Sequence, residues 1–305
     1  MNSNINTAMG LNQWLMLITL SILWGGSFFF VEVALNDLPA FSIVAFRVVI
    51  SAAVLWAVVF MLKLPIPKSM GIWAAFLVMG LLNNAIPFSL ITWGQVQVSA
   101  GLASILNAAV PFFTVIVAGV LLPDEKISPL KVIGVLIGFF GVAVMIGLPG
   151  TQADYYVLAQ FAILASGLSY AFATTYGRRF KRLGVHPIVL AGAQAIAASL
   201  VMIPIALSVD GVPSFNTIGL SSILALLGLG VVSTAIAYIL FFKILESAGA
   251  VNVSLVTLLI PISAILLGVF ILQERLEMIH LIGMGLIAIG LSFVDGRLWR
   301  SRLKL

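Results

Sequence analysis

The sequence predicts an all-α integral membrane protein in which ten transmembrane helices form two inverted five-helix repeats around a central cavity. Three observations lead to this fold class. The chain of 305 residues is 62% hydrophobic and 8% charged, which leaves too few polar side chains to cover a water-soluble domain. It divides into ten apolar stretches, each close to the roughly 20 helical residues that cross a bilayer core. Its second half repeats its first half.

The ten predicted spans are joined by short connections. Their apolar runs are continuous, whereas the strands of a membrane barrel alternate between apolar and polar residues. Nearly every residue belongs to a span or a short loop, so no segment is left for a soluble catalytic domain. We predict spans at 13–34, 40–62, 71–93, 98–121, 128–147, 155–176, 187–208, 217–242, 250–272 and 277–296.

The repeat is clearest over spans three to five and eight to ten. Because each copy holds five spans, an odd number, the two copies enter the membrane in opposite senses. We therefore predict a first five-helix repeat over residues 1–150 and an inverted one over residues 151–305. Inverted repeats of this length are typical of secondary transporters. The matched pairs are Gly80 with Gly230, Phe88 with Tyr238, Asn107 with Thr257, Pro111 with Pro261 and, after a one-residue gap, Glu125 with Glu274.

The basic residues indicate how the chain is oriented. If the N-terminus is cytoplasmic, almost all Lys and Arg residues fall at the cytoplasmic ends of spans, with Arg275 outside and Arg47 within span two. By the positive-inside rule, we predict a multi-pass membrane protein with both termini in the cytoplasm. The positive net charge is then explained by topology, and we expect no nucleic-acid partner.

The spans carry none of the usual catalytic groupings. There is no cysteine, which excludes disulfides and thiolate metal sites. An intramembrane hydrolase would need paired mid-span Asp residues, or Ser with His or Lys, and the spans lack these. We expect no enzymatic activity, no cofactor and no metal.

Mid-span prolines predict bends. Proline has no N–H, so Pro87, Pro111 and Pro261 each free the carbonyl four residues earlier. In lipid, a freed carbonyl is tolerated only against protein or a water-filled cavity. We predict that spans three, four and nine bend around a polar cavity; alternatively, their Asn and Thr residues only bond neighbouring helices. The predicted hinge residues are Pro111, Pro261, Gly25 and Gly26.

Aromatic and amide side chains are the candidates for binding a solute. Ring faces suit an apolar or aromatic solute, or a cation, although such rings also pack against lipid and neighbouring helices. The predicted substrate-binding residues are Trp24, Phe28, Asn83, Asn84, Phe88, Asn107, Tyr170, Tyr238, Asn252 and Thr257.

Charged residues are rare inside the predicted spans. All ten acidic residues lie in loops or near span ends, which argues against a pump that works through a mid-membrane carboxylate. The exception is Arg47, about two turns into span two, with Glu32 at a similar depth in span one. We expect a structural Glu32–Arg47 ion pair; the alternatives are that Arg47 attracts a substrate carboxylate or snorkels to the interface.

Small residues in spans five and ten predict close helix packing. Gly134 and Gly138 lie one helical turn apart, and span ten carries Gly283, Gly285 and Gly290. Such residues let helices approach closely, so we expect spans five and ten to be packing helices or to lie at a subunit interface. We expect a monomer or a weak homodimer in contact with membrane lipids.

Several motifs resemble the EamA family of the drug/metabolite transporter superfamily. They are LSILWGGSFFFVEVAL in span one, AFRVVISA in span two and SAGLASILNAAVPFFTVIVAGVLLPDEKISPLKVIGVLIGFFGVAVM in spans four and five, the last of which is matched in the second copy. Within the family, the chain is most similar to the YddG-type exporters of aromatic and other amino acids. The resemblance implies that spans one, three, four, six, eight and nine line the cavity, with five and ten at its edge.

The resemblance also implies a function. It indicates a transporter of the bacterial inner membrane that exports aromatic or apolar amino acids, or related small metabolites, by alternating access. A nucleotide-sugar or phosphate-metabolite exchanger and a lipid flippase of the same superfamily stay open as alternatives. The first would need several cations in its cavity, and only Arg47 is available inside a span.

Overall fold

The computed structural model describes residues 10–125, 127–147, 154–253, 255–296 and 299. Every regular element in this part of the chain is helical, and the helices follow the order of the predicted spans. Nine of them are long and apolar enough to cross a membrane, and a tenth, α9, is shorter. The predicted fold class is confirmed. The helices are α1 (Leu11–Ala34), α2 (Ala40–Met61), α3 (Met70–Gly94), α4 (Ala100–Leu121), α5 (Pro129–Ile146), α6 (Asp154–Arg182), α7 (Pro187–Val209), α8 (Leu220–Ala248), α9 (Val256–Phe270) and α10 (Met278–Asp295).

Helices of the two halves pack against each other in symmetric pairs. α1 packs along α9 as α6 packs along α4, and α3 contacts α7 as α8 contacts α2. α2 also packs along α7, and α5 along α10. When each helix is exchanged for its counterpart five positions along, the first four contacts interchange in pairs and the α2–α7 and α5–α10 contacts map onto themselves, as expected for inverted repeats. The predicted boundary at residues 150 and 151 lies outside the described residues.

Two glycines hold α3 and α8 close to the opposite half. A Cβ atom added at Gly80 would lie 2.6 Å from the backbone oxygen of Gln194 in α7. A Cβ atom at Gly230 would meet the side chain of Ile50 in α2 at 2.5 Å. The repeat-related glycines therefore permit the same kind of close helix contact on each side.

Glycines also form the contact between α5 and α10. A Cβ atom at Gly290 would lie 2.8 Å from the backbone nitrogen of Gly138, and one at Gly141 would lie 2.9 Å from the carbonyl oxygen of Gly283. The two helices therefore pack backbone to backbone, as predicted for small residues. This contact joins the two halves of one chain; a subunit interface stays a prediction.

Two connections tie each half to the other at the end of the bundle where α1 ends, which we call the Glu32 end. Asp210, after α7, accepts hydrogen bonds from the backbone nitrogen of Ser42 in α2 at 2.6 Å and from its hydroxyl at 2.9 Å. Asp37, after α1, accepts from the Ser222 hydroxyl at 2.7 Å and from the Gly219 nitrogen at 2.8 Å. These bonds hold the pKa of the Asp37 carboxyl below its usual value, the Ser222 bond contributing most. Each carboxylate thus stabilises a helix N-terminus of the other repeat.

A carboxylate of the second repeat also accepts hydrogen bonds at the N-terminus of α4. Glu274, in the connection after α9, accepts from the backbone nitrogens of Ala100 and Gly101 at 2.9 and 3.0 Å. Its two carboxylate oxygens satisfy two of the amides that the first turn of α4 leaves without helical partners.

The opposite end of the bundle, which we call the Arg178 end, is held by side-chain ion pairs. Arg178 at the end of α6 pairs with Asp124, and its guanidinium also lies 3.7 Å from Glu125. Glu125 in turn lies 3.7 Å from the ammonium group of Lys131. The hydrogen bond from Arg178 is the main cause that lowers the pKa of the Asp124 carboxyl. Lys126, one of the predicted cytoplasmic cations, lies outside the described residues.

Candidate functional site

Helices α3 and α8 both leave α-helical geometry at repeat-related positions. A π-helical turn occupies Leu81–Ala85 in α3, and a longer one occupies Gly228–Ile236 in α8. Such turns are rare and occur frequently at functional sites. Each brings two adjacent polar residues into the bundle, and the 150-residue offset of the repeat aligns Asn83–Asn84 with Ser233–Thr234. The sequence analysis identified the first pair and missed the second, although the alignment contained it.

The π-helical register changes which carbonyl Pro87 frees. The backbone nitrogen of Ile86 bonds the carbonyl of Leu81, five residues back, so the missing N–H of Pro87 frees Leu82 and not Asn83. The prediction of Asn83 was therefore wrong because it assumed an α-helical register. The Ser169 hydroxyl of α6 donates to the Leu82 carbonyl at 2.7 Å. The freed acceptor is satisfied by protein and not by a water-filled cavity.

Arg47 lies between the two halves, 6% exposed. Its Nε donates to the Thr234 hydroxyl at 3.0 Å, and its guanidinium carbon lies 3.6 Å from the centre of the Phe88 ring. The same Thr234 hydroxyl makes a second hydrogen bond, in which it donates to the Leu229 carbonyl, at 2.7 Å. A cation of α2 is therefore bound jointly by α8 and α3.

The predicted Glu32–Arg47 ion pair is wrong. Among the described residues no carboxylate lies within ion-pair distance of Arg47. Glu32 instead accepts a long hydrogen bond from Gln95 of the α3–α4 connection, at 3.5 Å. Equal depth along two neighbouring helices did not bring the two side chains together, because Arg47 turns toward α3 and α8.

Tyr238 joins this centre from the second repeat. Its hydroxyl accepts hydrogen bonds from Asn83 at 3.0 Å and from Asn84 at 3.5 Å. Asn83 also lies 3.4 Å from the side-chain oxygen of Gln194 in α7. The ring of Tyr170 packs against the apolar group that contains Phe88. We call the set Arg47, Asn83, Asn84, Phe88, Tyr170, Ser233, Thr234 and Tyr238 the Arg47 cluster.

The other predicted binding residues lie elsewhere. Trp24 packs against Phe241, with ring centres 5.6 Å apart. Phe28 is part of the main apolar core, and Asn252 donates to the carbonyl of Ala248, four residues earlier, at 3.0 Å. The side-chain oxygen of Asn107 is buried and has no hydrogen-bond partner, so it stays a candidate ligand at the break in α4.

The structure locates the predicted hinges without testing whether they move. α4 is interrupted between Asn107 and Val110, and Pro111 lies in the first turn of its second half. Pro261 lies inside α9, whose start at Val256 marks the corresponding boundary.

The companion glycines lie in α1, which is a single helix throughout. A Cβ atom at Gly25 would lie 2.9 Å from the Ile260 carbonyl oxygen of α9. Gly25 therefore provides a close approach beside Pro261. A hinge at Gly25 and at its neighbour Gly26 stays a prediction.

A cavity of about 510 Å³ opens at the Glu32 end. The ends of α1, α3 and α7 and the start of α2 line it, and Glu32, Gln95 and Asp210 supply polar groups. Within the described part of the chain, no three His, Asp or Glu side chains are grouped so as to hold a metal ion.

Two inverted five-helix repeats, with Arg47 buried between them, are the architecture of a polytopic membrane transporter. The chain belongs to the EamA-like transporter family, whose model matches residues 12–147 and again residues 157–294. The two matches correspond to the two halves.

Relatives extend over the full length. The chain is 28% identical over 289 residues to an uncharacterized transporter of Archaeoglobus fulgidus, covering 93% of this chain and 99% of the relative. It is 30% identical over 288 residues to the uncharacterized transporter YvbV of Bacillus subtilis, covering 92% and 90%. It is 25% identical over 299 residues to a probable amino-acid metabolite efflux pump of Escherichia coli, covering 93% and 95%. A solved crystal structure shares the fold with a TM-score of 0.69 at 21% identity, over 96% of this chain and 99% of that one.

Proposed function

We propose that this transporter exports amino acids with aromatic or apolar side chains, or closely related small carboxylates, across the bacterial inner membrane. One observation carries the proposal: the guanidinium of Arg47 is buried between the two halves, and none of the described carboxylates lies within ion-pair distance of it. A buried charge without a counter-ion is costly, and intramembrane charges of this kind mark solute pathways. A substrate carboxylate would supply the missing charge.

The geometry of Arg47 favours a carboxylate ligand. Its Nε is used by Thr234 and its π face by Phe88, which leaves its two terminal nitrogens for bonding. These can donate two parallel hydrogen bonds to a carboxylate. A phosphate ester carries about two charges, which a single Arg does not neutralise, so the phosphate-metabolite exchanger is the weaker alternative.

Groups near Arg47 suit the rest of an amino acid. The side-chain oxygens of Asn84 and Ser233 are buried without hydrogen-bond partners, so both can accept from a substrate ammonium group. The rings of Phe88, Tyr170 and Tyr238 offer apolar faces for a side chain. The carboxylate, the ammonium group and the apolar side chain of an amino acid would each have a suitable partner near Arg47.

The name of the Escherichia coli relative, an amino-acid metabolite efflux pump, agrees with this substrate class. The YddG-type resemblance seen in the sequence motifs points the same way. The positive-inside rule places the Arg178 end in the cytoplasm and the Glu32 end outside. Alternating access then requires the two ends to open in turn, with α4 and α9 bending near Pro111 and Pro261.

Counterflow in proteoliposomes tests the proposal. Vesicles loaded with unlabelled phenylalanine are expected to take up radiolabelled phenylalanine through the wild-type protein. 3-Phenylpropionate, which keeps the carboxylate, is expected to compete, and phenethylamine, which lacks it, is not. Equal competition by phenethylamine would contradict a carboxylate site at Arg47, and absence of counterflow for every amino acid in a panel would refute the substrate class.

A further inference from the structure

The described residues that line the cavity at the Glu32 end include acidic groups but no Lys, Arg or His. Glu32, from α1, and Asp210, after α7, both line it. Glu274, in the connection after α9, belongs to the same end of the bundle. No salt bridge involves Glu32 among the described residues.

Three other carboxylates at the Glu32 end, those of Asp210, Asp37 and Glu274, already have hydrogen-bond partners. Asp210 is bonded to Ser42, Asp37 to α8, and Glu274 to two backbone nitrogens of α4. Glu32 is different, because its only described hydrogen bond is the 3.5 Å contact from Gln95. Of the two carboxylates that line the cavity, Glu32 and Asp210, Glu32 is therefore the one with unused hydrogen-bonding capacity.

Gln95 provides an independent sign of a missing ligand. It is 3% exposed and lines the same cavity. Its side-chain nitrogen donates to the Phe28 carbonyl at 2.9 Å and to Glu32, but its side-chain oxygen is buried without a partner. A buried acceptor in this position calls for a donor, and a protonated carboxyl or a hydronium ion in the cavity is such a donor.

The surroundings determine the kind of cation. α4 and α9 carry no charged residue, and the charged residues of α8, Lys243 and Glu246, lie at its opposite end. Besides Glu32, the charged residues at this end are Asp37, Asp154, Asp210, Glu274, Arg275 and Glu277. No group of three His, Asp or Glu side chains in the described chain is suited to a metal ion, whereas a proton needs only one carboxylate and one neighbouring acceptor.

We propose that Glu32 is the proton-binding residue that couples export to proton entry, with Gln95 as its positioning residue. In the state open at the Glu32 end, the Glu32 carboxylate takes a proton from a hydronium ion, leaving water and a neutral carboxyl. After the bundle changes state, the proton passes to water on the other side and the carboxylate forms again. One proton moves inward for each zwitterion exported, so a proton gradient drives accumulation. This inference rests on the proposed function for its substrate.

The first experiment needs no substrate. Infrared difference spectra of reconstituted wild-type protein and Glu32→Gln isolate the carboxyl band of residue 32. We expect a protonated carboxyl band that appears and disappears across the physiological pH range. Glu246→Gln, at an exposed glutamate of the opposite end, should leave this band in place. A Glu32 that stays ionised over the whole range would overturn the proposal.

The second experiment measures coupling with phenylalanine as the probe. With acid on the Glu32 side, wild-type and Glu246→Gln vesicles should accumulate phenylalanine to a ratio above one on that side. Glu32→Gln should fall to a ratio of one and lose the pH dependence of its counterflow rate, while Glu32→Asp should recover part of the accumulation. Full accumulation by Glu32→Gln, or a wild type indifferent to the gradient, would overturn proton coupling. If phenylalanine shows no counterflow at all, the proposed substrate has failed, and the infrared experiment alone decides the proton site.

Discussion

Replacing Arg47 with Met separates a substrate-binding role from a structural one. Met keeps an unbranched stem against Phe88 and removes the guanidinium. Each charge-assisted hydrogen bond to a substrate carboxylate is worth about 1.5 kcal/mol or more, so the two terminal nitrogens contribute about 3 kcal/mol. Since about 1.4 kcal/mol is a tenfold change in affinity, we expect the KM for phenylalanine counterflow to rise about 100-fold.

The same substitution should leave the fold as stable as before, or more so. Thr234 loses one donor but still bonds Leu229 at 2.7 Å, so no buried hydroxyl is left without a partner. Replacing an uncompensated buried charge with an apolar side chain is often neutral or stabilising. The melting temperature without substrate should therefore be equal to that of the wild type or higher, while its increase on adding phenylalanine should disappear.

Arg179 provides the matched control. Its guanidinium carbon lies 3.4 Å from the centre of the Tyr176 ring, the same cation–aromatic contact in an exposed position. Arg179→Met should leave the KM unchanged. If Arg47→Met binds phenylalanine as the wild type does, or if it lowers the melting temperature without substrate, Arg47 has a structural role and the reasoning fails.

Three further predictions follow from the described contacts. Tyr238→Phe removes the hydroxyl that accepts from Asn83 and Asn84; a neutral hydrogen bond of about 1 kcal/mol implies a KM about fivefold higher in counterflow, and an unchanged KM would place Tyr238 outside the site. Pro111→Ala should straighten the break in α4 and slow transport while membrane insertion, measured by yield and gel filtration, stays normal; wild-type flux would remove the hinge. The Asp37 carboxylate, whose pKa is lowered in the folded state, contributes stability that is fully present above its ordinary pKa of about 4 and is lost as pH falls through the lowered value. Asp37→Asn should remove this acid-side fall in melting temperature, and identical pH profiles for the two proteins would contradict the assignment.

The helices could be predicted from the sequence because bilayer thickness and hydropathy determine where they must be. The break near Pro111 and the close packing at the α5–α10 glycines could also be predicted, because a missing N–H group and a missing side chain act locally. The change from α-helical to π-helical hydrogen bonding could not be predicted from the sequence. The π-helical turns of α3 and α8 depend on packing against α7 and α2. Because of the turn in α3, the carbonyl that Pro87 frees is that of Leu82 and not that of Asn83.

The Arg47 cluster was predicted in part for a related reason. Asn83, Asn84, Phe88 and Tyr238 were found through polarity and the repeat. The partner of Arg47 was missed, because equal depth in the membrane says nothing about which face of a helix a side chain occupies. Thr234 is a weak signal by itself and gains meaning only when aligned with Asn84.

The exchange of helix partners between the halves has a consequence for biogenesis. The glycine surface of Gly80 on α3 and that of Gly134 on α5 are both covered by helices of the second half. During synthesis the first five helices enter the membrane while these close-packing surfaces still face lipid. The first repeat therefore cannot complete its tertiary structure when its own synthesis ends, and has to be kept in an unassembled state until α7 and α10 have been inserted. Duplication in this family thus produced two halves that mature as one cooperative unit.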